Sequence, residues 1–144
     1  MIAVDTNLLV YALREDSPFH PAALDVLTEL ASSGNRWAIP WPCVHEFIAI
    51  STHPKIYRPP TPLKTAMASV KVWLEAPCCE QLAEGPGYFE VLSTLATKAK
   101  LAGPMIHDAR IAALCLHHGV SELWTADRDF SRFPELKTRN PLVQ

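Results

Sequence analysis

Ile2, Ala3 and Val4 form a short apolar run that stops at once on Asp5, Thr6 and Asn7. A run this short, apolar at every position, is the signature of a strand buried on both faces. The pattern returns at Trp37-Ala38-Ile39, closed by Pro40 and Pro42, and at Leu123 to Ala126. Cys78 to Leu82 and Leu136 to Arg139 are shorter strand candidates. The segments between carry helical spacing instead. Leu8 to Leu13 reads as a short helix, and His20 to Ser33 carries Ala23, Leu27 and Leu30 on one stripe before the stop at Gly34. Pro42 to Thr52 follows, with Val44, Phe47, Ile48 and Ser51 in line and Pro42 suited to its first turn. Lys64 to Ala76 (Met67, Val70, Val72, Trp73), Tyr88 to Leu101 (Val91, Leu92, Leu95, Ala99) and Ile106 to His118 complete the set. Strands separated by helices demand crossover connections, so the chain predicts an α/β fold around a largely parallel sheet. At 144 residues it reads as one domain, 1–144, with a sizeable core.

Three acids fall where such a fold gathers ligands. Asp5 ends the first strand and Asp127 the Leu123 to Ala126 strand, and open α/β sheets bind at that carboxyl edge. Asp5 alone could equally cap the following helix. Asp108 heads the sixth helix, with Ile111, Ala112 and Cys115 three, four and seven residues later on its own face. Its simplest role is to meet the helix dipole; its sharper role is to face a cation. Glu46 lies off the apolar stripe of its helix, beside Ile50, and by periodicity alone is a solvated residue. Carboxylates brought together repel unless a cation neutralises them. An all-oxygen donor set suits Mg²⁺ or Mn²⁺ rather than zinc. Such an ion suits in-line attack at phosphorus.

Other classes lack support. There is no Walker A loop, GxGxxG or HExxH, and no serine nucleophile turn. The net charge of −2 announces no global basic field, although a local basic strip can coexist with an acidic site. Cys43, Cys78, Cys79 and Cys115 show no metal spacing and read as reduced, mostly buried thiols of a cytoplasmic protein. No signal peptide or membrane-length apolar run is present, so no membrane association is expected.

The segments VDTN (4–7), HEF (45–47), HDARIAA (107–113) and TADRDF (125–130) together resemble the acidic motifs of PIN-domain nucleases. Their order and spacing are similar to the VapC-type toxin ribonucleases of toxin–antitoxin pairs. The resemblance implies a three-layer α/β/α fold with about four to five short strands. It also implies an endoribonuclease whose quartet Asp5, Glu46, Asp108 and Asp127 is catalytic, with Mg²⁺ or Mn²⁺ on Asp5, Asp108 and Asp127. Asn7, Thr125 and Asp129 match supporting positions. A homodimer and an inhibiting antitoxin protein are implied as partners, with RNA as substrate. Arg14, Arg58 and Arg128 are the candidate RNA contacts, since phosphates need cations. Two other functions compete. One is a non-catalytic PIN-like module that binds RNA or protein. The other is a phosphotransferase with Asp5 as nucleophile, disfavoured because Asn7 stands where a DxD motif needs an acid.

Overall fold

The computed structural model describes residues 1–143. Five strands form one sheet in the order β3-β2-β1-β4-β5, and every neighbouring pair is parallel. They are β1 (Ile2–Val4), β2 (Trp37–Pro40), β3 (Cys79–Leu82), β4 (Glu122–Trp124) and β5 (Thr138–Arg139). Six helices flank the sheet: α1 (Thr6–Leu13), α2 (His20–Ser32), α3 (Trp41–Ser51), α4 (Leu63–Leu74), α5 (Tyr88–Ala99) and α6 (Ile106–His117). The expected three-layer α/β/α architecture is thus present. Among the described residues, no helix is long and apolar enough to cross a membrane.

The central strands are buried on both faces, as their composition requires: Ala3, Val4, Ala38 and Ile39 have no exposed surface. Phe47, Phe130, Phe133 and Leu123 fill the space between sheet and helices. Each such side chain, fully buried, contributes roughly 1.5–3 kcal/mol. The chain steps from β1 outward to β2 and β3, then crosses back to place β4 on the other side of β1. That reversal opens a crevice between the carboxyl ends of β1 and β4, where folds of this kind bind ligands.

Several element boundaries differ from expectation. Helix α1 starts at Thr6 rather than Leu8, because Asp5 itself is the cap and no residue intervenes between strand and helix. Strand β4 ends at Trp124 rather than Ala126. Beyond it the Ala126 N–H donates to Asn7 Oδ1 (3.1 Å) and the Asp127 N–H to Thr125 Oγ1 (3.0 Å), so side chains take the groups a ladder would use. Strand β5 keeps two exposed residues of the expected four, since Leu136 is anchored in the core ahead of it. Helix α4 exposes Met67 (51%) and Val72 (67%), both expected inside. It packs at the sheet margin on α3 and β3, where burying Ala66 and Val70 and setting Trp73 edge-on to Phe47 suffices. Of the four free cysteines, Cys43 and Cys115 are buried, whereas Cys78 is exposed and Cys79 half-buried.

Candidate active site

Asp5 is the floor of the crevice. It is 4% exposed, and both of its oxygens are held. Oδ1 accepts from the Thr6 N–H (2.7 Å) and, at 3.5 Å, from the Cys43 thiol. Oδ2 accepts from Thr125 Oγ1 at 2.7 Å and from Asn7 Nδ2 at 3.4 Å. Cap and inward-facing acid are therefore the same residue. The register explains the Thr125 contact: Val4 pairs with Trp124, which sets Thr125 level with Asp5. The Thr125 hydroxyl gives its proton to Asp5 and accepts from Asn7 Nδ2 (3.3 Å) and the Asp127 N–H. Asn7 in turn ties the first turn of α1 to the turn after β4 through its amide oxygen. The supporting positions Asn7 and Thr125 are thus the cross-braces of the crevice.

Glu46 projects from the side of α3 opposite its core stripe, with Ile50 one turn on. Packing of α3 against α1 and α6 turns that side into the crevice wall instead of toward bulk water. Thr6 Oγ1 donates to Glu46 Oε2 at 2.8 Å. Asp108 enters from the first turn of α6 and is half-buried. Asp127 caps the short 3₁₀ turn Arg128–Arg132, its Oδ1 accepting from the Asp129 N–H at 2.8 Å. Asp5, Glu46, Asp108 and Asp127 all line one cleft of about 260 Å³, with Val10, Tyr11, Ile50 and Tyr57 on its apolar side.

The tightest grouping differs from the expected metal set. Oxygens of Asp108, Asp127 and Asp129 lie within 4.8 Å of one another. Asp129 enters this group because β4 stops early and the 3₁₀ turn brings its side chain back beside Asp127. Asp5 sits deeper, its lone pairs already shared with four donors. Among the described residues one guanidinium reaches the cluster: Arg132 lies 3.9 Å from both Asp108 and Asp129.

The electrostatics record uncompensated charge. Burial pushes the Asp5 carboxyl above its ordinary value, and the hydrogen bonds from Thr125, Thr6 and Cys43 only partly oppose it. Burial raises Glu46, and the charges of Asp5 and Asp108 add to the effect against the Thr6 bond. Asp108 is raised by burial first, then by Asp127, Asp5 and Asp129. An all-carboxylate cluster of this kind, short of cationic partners, fits a hard divalent ion.

The candidate RNA contacts part company. Arg14 is spent inside the protein: Nε and Nη2 donate to Asp16, and Nη1 to Pro59 O (2.9 Å) and Thr61 Oγ1 (3.3 Å). Its guanidinium lies 4.3 Å over the Tyr57 ring. Arg58 and Arg128 are exposed. Arg58 borders an open hollow of about 540 Å³ beside the cleft, together with Pro59, Pro60 and Arg14. Thr6, Cys43 and Tyr57 were not foreseen at the site. Thr6 had a signal, lying between two expected site residues; Tyr57 had none beyond being an aromatic in a proline-rich loop.

Comparison with known proteins agrees with this architecture. Residues 2–136 match the PIN domain family. Ribonuclease VapC43 of Mycobacterium tuberculosis is 33% identical over 142 residues, covering 99% of this chain and 96% of that protein. Ribonuclease VapC48 of the same organism is 28% identical over 137 residues, covering 95% and 94%. Among solved structures, VapBC2 of Rickettsia felis, bound to a DNA fragment from its promoter, superposes with a TM-score of 0.71 at 21% identity, covering 97% of this chain and 98% of that one. VapC20 of M. tuberculosis, a toxin that cleaves the sarcin–ricin loop, gives 0.62 at 17% identity, covering 91% and 93%. A family match over residues 2–136, a relative 33% identical over nearly the whole chain and the shared fold lead to one conclusion: this chain belongs to the PIN-domain family, among the VapC ribonucleases.

Proposed function

We propose that the protein is a divalent-metal-dependent endoribonuclease, the toxin of a toxin–antitoxin pair, with Asp5, Glu46, Asp108 and Asp127 as its catalytic acids. The single observation that carries this is the convergence of those four carboxylates, from four separate elements, on one cleft at the sheet's carboxyl edge. The ribonuclease names of the relatives agree with it. Asp108 and Asp127, joined by Asp5 or Asp129, would hold Mg²⁺ or Mn²⁺. When bound, the ion would neutralise the phosphodiester, lower the pKa of a water and stabilise the departing oxygen.

The chain's own groups have separable tasks. Thr6 fixes one oxygen of Glu46 and leaves the other to the cleft, where it can orient the attacking water and accept its proton. Thr125 and Asn7 keep the Asp5 carboxylate in one orientation. Arg58 and Arg128, exposed on either side, are suited to phosphate contacts along the strand. Arg14 acts by holding the proline-rich loop.

The likeness to solved VapBC complexes supports an antitoxin as partner. Leu63 and Met67, exposed one turn apart on α4, favour a self-associating dimer. The test is cleavage of structured RNA with Mg²⁺, Mn²⁺ or EDTA, beside folded Asp5→Asn and Asp108→Asn variants. Internal cleavage that needs metal and disappears in both variants is expected. Cleavage that persists in both, or none by folded wild-type protein under any metal, would overturn the assignment.

A further inference from the structure

The cleft has two unlike walls. One carries the acids; the other is built by Val10, Tyr11, Ile50 and Tyr57 and holds no charge. Metal chemistry at phosphorus accounts for the first wall and leaves the second without a task. Tyr57 belongs to the loop between α3 and α4, yet it is among the best-braced side chains of the site. The Arg14 guanidinium lies 4.3 Å from its ring centroid. That guanidinium is itself held by Asp16 and by two acceptors of the same loop, Pro59 O and Thr61 Oγ1. The Thr61 N–H closes the loop back onto Ser51 O at 2.8 Å, and the Tyr57 N–H donates to His53 O. The ring remains half-exposed and faces the cleft. A braced aromatic that carries a cation over its ring and lines the cleft is suited to stacking.

We propose that Tyr57 receives an unstacked RNA base, that of a nucleotide adjoining the cleaved phosphate. This rests on the ribonuclease reading for the position of the phosphate. At about 260 Å³, the cleft is smaller than the roughly 300–1,000 Å³ pockets that enclose drug-sized ligands. It suits one splayed nucleotide and not the body of a duplex, and single-stranded RNA is commonly read by splaying bases onto aromatic rings. The surroundings also limit what the platform can select. Val10 and Ile50 offer no hydrogen bonds, and the Tyr11 and Tyr57 hydroxyls are the polar groups of this wall. The site requires a base and tolerates its identity, so sequence choice must come from elsewhere on the surface. Arg14 is a positioning residue for the platform.

The experiment is binding of fluorescein-labelled single-stranded hexaribonucleotides, one per homopolymer, to the Asp108→Asn protein in Ca²⁺. An oligo(U) series carries a single abasic site moved along the strand. One abasic position should weaken binding roughly 5- to 100-fold, as loss of a stacked base does. Tyr57→Leu should bind the intact strand that much more weakly and be indifferent to the abasic site. Tyr57→Phe should keep both the affinity and the abasic penalty, which separates stacking from loss of fold. An abasic penalty that survives in Tyr57→Leu, or none at any position of the Tyr57 protein, would overturn the proposal. RNA cleavage by the wild-type protein, measured in parallel, decides the nuclease assignment independently, because the binding assay uses no turnover.

Discussion

At the residue scale, the site trades stability for charge. Asp108 is half-buried among Asp5, Asp127 and Asp129, with Arg132 at 3.9 Å as its counter-ion. Asp108→Asn removes that repulsion, so the metal-free variant should melt above wild type while losing the upward shift that Mn²⁺ gives the native protein. Differential scanning fluorimetry with EDTA and with Mn²⁺ checks both; an Asn variant that melts lower and still responds to Mn²⁺ would contradict it. Thr125 shows the opposite case. Its buried hydroxyl donates to Asp5 and accepts from Asn7 and the Asp127 N–H. Thr125→Val leaves those partners unmatched, at about 1–3 kcal/mol. Melting should fall by roughly 3–10 °C for a chain of this size, and cleavage by roughly 10- to 100-fold, as when a supporting group of a metal site is lost. Thermal melts and initial rates measure these two effects separately. Thr125 was legible beforehand only through the TADRDF motif; its hydroxyl's three partners depend on the β1–β4 register, which no local pattern encodes.

At the scale of elements, what could be read depended on whether a segment's burial is uniform. Strands β1 and β2 stand out because every position is apolar, and α2 and α6 because their stripes are complete. Strand β5 has two exposed residues and no hydrophobic signal, so its limits came from pairing alone. Helix α3 is the instructive intermediate. Its periodicity assigns Glu46 to the surface, and only the neighbouring helices convert that surface into a cleft wall. The choice between Asp127 and Asp129 stays open in the sequence for a similar reason: it shows two acids after a strand, but not that side chains end the strand at Trp124 and fold a 3₁₀ turn behind it. The loop between α3 and α4 gives a test at this scale. Arg14, at the end of α1, hydrogen-bonds it at Pro59 O and Thr61 Oγ1. Arg14→Ala should cost about 1–2 kcal/mol through those bonds and the lost stacking on Tyr57. The change should concentrate in the loop, so hydrogen exchange at the Thr61 amide, bonded to Ser51 O, should accelerate more than at the β1 amides. Uniform acceleration would assign Arg14 a global role instead.

For the whole molecule, the same raised carboxyls link folding, pH and metal. Glu46 is raised from 4.5 by burial and by Asp5 and Asp108. A group whose folded pKa lies above its unfolded value contributes stability that is present below the unfolded pKa and is lost as pH rises through the folded one. The native protein without metal should therefore lose stability across this window for Asp5, Glu46 and Asp108 alike. Glu84 and Glu122, lowered by hydrogen bonds from Arg110 and Trp124, act in the opposite direction, so raw melting temperatures mix the two. The difference between Glu46→Gln and wild type isolates the site. Gln keeps an oxygen for the Thr6 hydroxyl and removes the charge. In EDTA the variant should melt close to wild type below the ordinary glutamate range and increasingly above it as pH approaches neutrality. Saturating Mn²⁺ should shrink or reverse that gap, because the ion offsets in the native protein the repulsion the variant lacks. A gap independent of pH would mean that the Glu46 carboxyl titrates alike in the folded and unfolded protein, against the upward shift that burial gives it. A gap that widens in EDTA and is unmoved by Mn²⁺ would place the ion away from Glu46, at Asp108, Asp127 and Asp129.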